Sequence, residues 1–489
     1  MEKVIGRHKE LKELLHFLTS KKAEFMAIYG RRRIGKTFLI KNFFKTQKCI
    51  FFDVTGIKNG TYTEQINEFV KKVGEIFYGG AALADKGTWW DAFDILNNAI
   101  SSIDKRKKIV IFLDEFPWMA TKKSRLLQVL EHTWNNKWNW NNNIRLVVCG
   151  SSASWILKRI INNTGGLYNR VTARMELHPF NLYEAKQLLR ANGIKLSNQQ
   201  ILEVYMVTGG IPLYLNHIEK GLSAQQNINQ LCFERGGFLR DEFTNIFASL
   251  FDDTSQYLDI IKTISQHRNG ISKNDLVKIC NLSSGGRASG RLKDLEEAGF
   301  ITSFIPYGHK ERGIYYKIID EYTLFYFHWI DPNKTGFLKI TNRRNAWQHI
   351  AQSPDWKAWS GYAFEAICYK HIEQIVRALN IDSIFNFVGA WKYTPKKGSK
   401  NDLGAQIDLL FDRNDNVITI CEIKYSYEPF VIDKQYAANL RNKVEVYKKH
   451  TGTHKQIFIA MISANGLKPT MYSEELVSGC AVLDDLFKE

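Results

Sequence analysis

The stretch YGRRRIGKT, Tyr29 to Thr37, constrains this chain more than any other segment. It fits the spacing G-x-x-x-x-G-K-[ST], with Gly30, Gly35, Lys36 and Thr37 in register. An apolar run, FMAIY at 25–29, precedes it, and TFLIKNFF opens a helical pattern after it. Glycines at those points let backbone N–H groups curl around phosphate oxygens at a helix N-terminus, where the helix dipole favours negative charge. In that frame Lys36 neutralises β/γ oxygens and the Thr37 hydroxyl reaches Mg2+. The segment Gly30, Arg33, Ile34, Gly35, Lys36, Thr37 and Phe38 is therefore expected to bind a nucleotide. A plain strand-to-helix turn would need neither the lysine nor the threonine. The three arginines at 31–33 are not demanded by the spacing and face either solvent or DNA.

Apolar runs without alternation recur through the first 180 residues, at CIFFDVT (49–55), KIVIFLDEF (108–116) and IRLVVCG (144–150), separated by helical patterns. That rhythm indicates a parallel sheet buried on both faces. The run IVIFLDEF ends in Asp114 and Glu115, an acid to hold Mg2+ through water and an acid to polarise the attacking water. After RLVVCG stand Ser151 and Ser152, which either sense the γ-phosphate or cap the helix that begins ASWILKRI. Arg170 and Arg174, in YNRVTARMELHPF, are candidates for a catalytic arginine acting in cis or from a neighbouring subunit.

At 489 residues the chain exceeds one core, and about three units are expected. A formal net charge of +17 favours polyanionic partners such as nucleic acid. The seven cysteines include no C-x-x-C pair, so neither a disulfide framework nor a zinc site is expected. The charged start MEKVIGRHKELKEL and the lack of a long apolar run predict a cytoplasmic protein with no membrane partner.

Between 255 and 320 the text reads helix, helix, helix, hairpin, the order of a winged helix-turn-helix. In its third helix Arg287 and Arg291 stand four apart and share a face, with Ala288, Leu292 and Leu295 opposite. The hairpin turn adds Lys310 and Arg312. A basic helix face beside a basic wing fits DNA contact, or else the unit packs as a lid and Asp294, Glu296 and Glu297 dilute its field.

The last third holds QIDLLFDRNDNVITICEIK, two strands around a polar turn, interrupted by Asp408, Glu422 and Lys424. Glu422 and Lys424 are two apart and project from one face. Asp408 joins them only if the turn holds an odd number of residues, as Asn414-Asp415-Asn416 would. Two carboxylates and an ammonium at one end of a sheet suit Mg2+, or Mn2+ in its place, and phosphodiester hydrolysis. The alternative is an exposed Glu–Lys pair beside a turn-capping aspartate. Lys434, Gln435 and Tyr436 follow and are placed to touch a DNA backbone.

The segments VIGRHKELKELLHFL, YGRRRIGKT, FLDEFPWM, CGSS, YNRVTARMELHPF and VTGGIPLYL together resemble the archaeal-type P-loop ATPases of the STAND and AAA-like class. This resemblance implies ATP and Mg2+ as cofactors, homo-oligomers, and nucleotide contacts for Ile5, Gly6, Arg7 and Pro212. The pattern D-x(13)-E-x-K resembles the PD-(D/E)xK nucleases, with Gln-Ile-Asp in place of the namesake proline. That family places a further glutamate on an earlier helix, which implies Glu365 as a metal ligand with Asp408 and Glu422. The order of segments resembles archaeal ATPases fused to a C-terminal domain of the DUF234 class. The expected architecture is thus α/β: a P-loop core with a parallel sheet (1–180), a helical lid (181–250), a winged helix (251–320), a connecting segment (321–349) and a restriction-endonuclease-like domain (350–489). The expected function couples ATP hydrolysis to DNA binding and metal-dependent cleavage, the alternatives being a regulatory ATPase with a non-catalytic C-terminal module or an oligomeric DNA translocase.

Overall fold

The computed structural model describes residues 3–84, 87–162, 165–251, 253–282, 286–305, 313–336, 346–381, 384–395 and 404–489. By internal contacts the chain forms two units. The first is Met1–Pro179 with Ile211–Leu213 and Ser289–Gly299, and the second is Phe180–Gly210, Tyr214–Ala288 and Phe300–Glu489.

The first unit is built on five parallel strands, β1 (Glu24–Tyr29), β2 (Cys49–Thr55), β3 (Lys108–Asp114), β4 (Ile144–Cys149) and β5 (Ala173–Glu176), in the order β2-β3-β4-β1-β5. One strand, β4, therefore stands between the strand that feeds the glycine loop and the strand that ends in Asp114. Period-2 geometry explains why these strands are apolar throughout. Ile109, Ile111 and Leu113 of β3 face a core with Phe52, Phe69, Trp89 and Trp134, whereas Val110 and Phe112 face a second core with Phe17, Leu39, Ile40 and Phe44. A buried arginine closes the base of this sheet. Arg145 of β4, 0% exposed, donates to the carbonyls of Phe17 (2.6 Å), Lys22 (2.7 Å) and Ile144 (2.8 Å), and also to that of Ser20. It thereby satisfies carbonyls left open at the end of the helix His8–Thr19.

The second unit holds the helices Thr254–Ser265 and Lys273–Ile279 and an antiparallel sheet of β6 (Ile271–Ser272), β7 (Ile301–Phe304) and β8 (Tyr315–Ile318), in the order β6-β8-β7, and a third helical segment, Gly286–Glu297, runs between β6 and β7 in the chain. Residues 289–299 of the third helical segment group with the first unit, where Asp294 pairs with Lys158 at 3.0 Å.

The C-terminal sheet has the order β15-β13-β11-β10-β9, from β9 (Phe385–Tyr393), β10 (Ala405–Arg413), β11 (Val417–Lys424), β13 (Gln456–Ser463) and β15 (Val477–Val482). A two-residue parallel pair, β12 (Phe430–Val431) with β14 (Leu467–Lys468), stands apart from it. β9, β10 and β11 pair antiparallel, and β11, β13 and β15 pair parallel. The helix Lys434–Thr451 packs Val446 and Tyr447 against Ile407, Leu410, Ile418 and Ile420. All seven cysteines are free. Among the described residues no helix is long and apolar enough to cross a membrane.

Candidate functional site

The glycine loop is shaped by backbone conformations that side chains resist. Gly30 has φ 136°, and a Cβ there would stand 2.3 Å from the Leu177 carbonyl oxygen. Gly35 has φ 88° at the cap of the helix Lys36–Lys45 and has open space around it, so conformation rather than crowding selects glycine.

Lys36 is almost fully buried, and its ammonium donates to the carbonyls of Gly30 and Arg31, both at 2.8 Å. Burial pushes its pKa down, and the nearby Cys149, Glu115 and Asp114 oppose that shift. Thr37 Oγ1 donates to Asp114 Oδ2 at 2.8 Å. Asp114 Oδ1 is buried without a hydrogen-bond partner among the described residues, the Cys149 thiol being the polar group beside it. Burial raises the Asp114 pKa, and the Thr37 hydroxyl partly offsets this. A carboxylate with one open oxygen beside a threonine hydroxyl is the donor set a hard cation takes, so these residues fit Mg2+.

Glu115 has φ 46°, and its Oε2 accepts from the Ser151 N–H at 3.0 Å and the Ser151 hydroxyl at 2.9 Å. Ser151, read from sequence as a phosphate sensor or a cap, holds this acid. Ser152 occupies the cap position of the helix Ala153–Ile156 but makes no side-chain cap bond. Arg7, 4% exposed, donates to the Ile34 carbonyl and to Glu10, both at 3.2 Å, and so braces the loop from behind. The arginine triplet is not a free surface, because Arg31 is buried and Arg32 and Arg33 are half-buried. Phe38 is exposed at the helix start, and Pro212 is half-buried at the start of Pro212–Leu215. Arg170 and Arg174 are exposed.

The second constellation lies within the second unit. Leu409 pairs with Cys421 and Asp412 with Ile418, and three residues, 414–416, stand between the two strands. Asn416 at φ 63° closes this turn. Against β9 the register of β10 shifts between Ile407 and Leu410, a bulge that places Asp408 at a local kink. Asp408 Oδ2 accepts from the Ile423 N–H at 3.1 Å.

Glu365, on the helix Pro354–Lys370, has its pKa pushed up to about 7, first by burial and then by the Asp408 charge, with Glu422 a smaller contributor and Lys317 and Lys424 opposing. Glu422, 1% exposed, is likewise raised by burial and by Asp408. Asp408 thus stands as the shared neighbour of the other two acids. Lys424 Nζ lies 3.9 Å from Glu422 Oε2 and 5.2 Å above the Tyr436 ring.

Two partners of Glu422 were not read from the sequence as such. Lys443 pairs with its Oε1 at 2.5 Å, and the Tyr436 hydroxyl donates to Oε2 at 3.2 Å. Tyr436, one of the expected DNA contacts, holds this acid. They lie seven apart on the helix Lys434–Thr451 and so share a face, a signal usable only once the strand it covers is known. Lys317 of β8 lies 4.5 Å over the Tyr369 ring, and Tyr369 donates to the Asp408 carbonyl. The third expected ligand, Glu422, pairs with Lys443 and accepts from Tyr436, and among the described residues no three His, Cys, Asp or Glu side chains form a metal cluster.

Of the expected DNA-contacting residues, Arg287 is exposed and Arg291 is half-buried with partners of its own. Lys310 and Arg312 lie outside the described residues.

Residues 5–218 match a family described as an ATPase domain predominantly from Archaea. Over 438 residues the chain is 25% identical to an uncharacterized protein of Methanocaldococcus jannaschii, spanning 86% of this chain and 87% of that one. Among solved structures it is similar to the Walker-type ATPase of Pyrococcus abyssi (16% identity, 66% of this chain and 96% of that one, TM-score 0.47). It is also similar to the Aeropyrum pernix ORC2 protein (15% identity, 68% and 96%, TM-score 0.41). Over residues 5–218 the chain therefore carries an archaeal-type ATPase domain.

Proposed function

We propose that this chain hydrolyses ATP in its first unit and uses the nucleotide state to govern an action on DNA, with the C-terminal carboxylates cutting phosphodiester bonds. The observation that carries the ATPase half is the Thr37–Asp114 hydrogen bond beside an open Asp114 oxygen. These two groups would hold Mg2+, which would supply charge neutralisation at the β- and γ-phosphates. Lys36 leaves the Gly30 and Arg31 carbonyls to donate to phosphate oxygens. Glu115, turned from Ser151, accepts a proton from the attacking water. Arg170, exposed in its turn, is available to a γ-phosphate of the same or a neighbouring subunit.

In the C-terminal unit, Asp408 and Glu365 would hold Mg2+ or Mn2+, which would supply a water of lowered pKa. Lys424 stabilises charge on the phosphate, and Glu422 keeps Lys424 in place. Arg287, with the Lys310–Arg312 segment, is the proposed DNA contact of the second unit's helix–hairpin module, read as a winged helix. A second reading has a specific observation behind it: the Lys443–Glu422 ion pair suits a regulatory ATPase whose C-terminal module binds without cutting.

Plasmid DNA incubated with Mn2+ separates the two readings. Nicking by the wild-type protein that disappears in Lys424→Ala but persists in Lys443→Met supports cleavage. No nicking on plasmid or branched DNA, with ATP hydrolysis intact and lost in Lys36→Ala, supports the regulator.

A further inference from the structure

A cavity of about 120 Å3 lies within the second unit, outside both sites described above. Gln266 and Arg268 line it just beyond the helix Thr254–Ser265, Phe327 and His328 come from a π-helical turn, and Trp359 and Tyr362 come from the helix that carries Glu365. Three observations say what it takes.

The walls are planar. The His328 ring stacks on Trp359 with centroids 6.2 Å apart and planes at 29°, and the Arg268 guanidinium lies 5.7 Å over the Tyr362 ring. Trp359 forms a buried floor, whereas Gln266, Arg268 and His328 are exposed at the rim. The backbone is unusual there as well, because Tyr326–Ile330 is a π-helix, a rare conformation that concentrates at functional sites. The position is the third point. Tyr362 precedes Glu365 by three residues, one helical turn, so the cavity and the carboxylate site share a helix face.

We propose that this cavity binds an unpaired nucleobase of a DNA strand whose backbone runs past Glu365. Every base offers a π-face to stacking aromatics, Gln266 presents an amide to the base edge, and the Arg268 charge suits the adjoining backbone phosphate. A base held in this way pins the strand, so the scissile phosphate arrives in register with the acids. The inference rests on the DNA reading above and supplies the part of the substrate that such a site would recognise, a frayed or single-stranded segment.

The test is fluorescence anisotropy with a labelled single strand of about ten nucleotides, within the usual range of single-strand site sizes. It is compared with a strand of the same length whose central positions are abasic, in EDTA so that no cleavage intervenes. Wild-type protein is expected to bind the complete strand on the order of tenfold tighter than the abasic one. His328→Ala, a substitution at an exposed rim, is expected to erase that difference without weakening abasic binding, with melting temperature and ATP hydrolysis as checks of folding. Equal wild-type affinity for the two strands, or an equal loss on both in His328→Ala, overturns the base pocket, and Mn2+-dependent nicking that persists then leaves the DNA reading standing. Failure to bind either strand overturns both.

Discussion

Replacing Glu365 by glutamine isolates the electrostatic state of the C-terminal acids. The carboxyl of Glu365 titrates near 7 in the folded chain, against 4.5 for the free side chain. The native state therefore holds a proton that the unfolded chain has already released at intermediate pH. A carboxyl raised in this way contributes stability that is fully present below about pH 4.5 and is lost as pH rises through about 7. A gap of about 2.5 pKa units corresponds to at most about 3 kcal/mol, at 1.36 kcal/mol per unit. Glutamine keeps the shape and cannot ionise, so the difference in unfolding free energy between variant and wild type should move in favour of the variant by up to that amount between pH 4.5 and 8. Urea titrations in EDTA, read at a signal from the C-terminal unit, measure this difference at each pH. Added Mn2+ should stabilise wild type at pH 8 and leave the variant nearly unchanged. A difference that stays flat across that range would refute the convergence of Glu365 with Asp408.

Asp114→Asn should abolish ATP hydrolysis while raising the melting temperature of the nucleotide-free protein near neutral pH, because a buried charge whose pKa is raised by desolvation is removed. Calorimetry and a phosphate-release assay read the two effects. Gly30→Ala should cost several kcal/mol, since its Cβ would meet the Leu177 backbone oxygen at 2.3 Å and its φ of 136° disfavours any side chain; denaturant titration checks this. Arg145→Met should destabilise the first unit by about 3 kcal/mol or more, by stranding the carbonyls of Phe17, Ser20 and Lys22 away from a donor, and the loss should appear as a lower urea midpoint.

How much could be read in advance depended on the range of the signal. The glycine loop and the Asp114–Glu115 pair were legible because each is a few adjacent residues at a strand end, and the local chemistry names its own ligand. The hairpin itself was legible, and its strands leave the three residues Asn414–Asn416 between them. The bulge at Asp408 was not legible, since it arises from pairing with β9, far from the acid in sequence and itself unremarkable in composition. Nor were the roles of Lys443 and Ser151. Each meets its acid from a separate element, and a lone lysine on a basic helix or a serine after a strand carries no mark of what it will face. Arg145 shows the same limit in the core. The carbonyls of Phe17, Ser20 and Lys22 that it holds come from residues more than a hundred positions away.

The three-residue turn at Asn414–Asn416 makes the carboxylate constellation sensitive to chain length as well as to chemistry. Adding or removing a single residue there would rotate β10 by half a pleat, carrying Asp408 to the far side while leaving every acid in the text. A lineage could disarm this module by an indel alone, with no point substitution to betray the event. Among relatives, retention of the aspartate therefore means little unless the parity of the turn is retained with it.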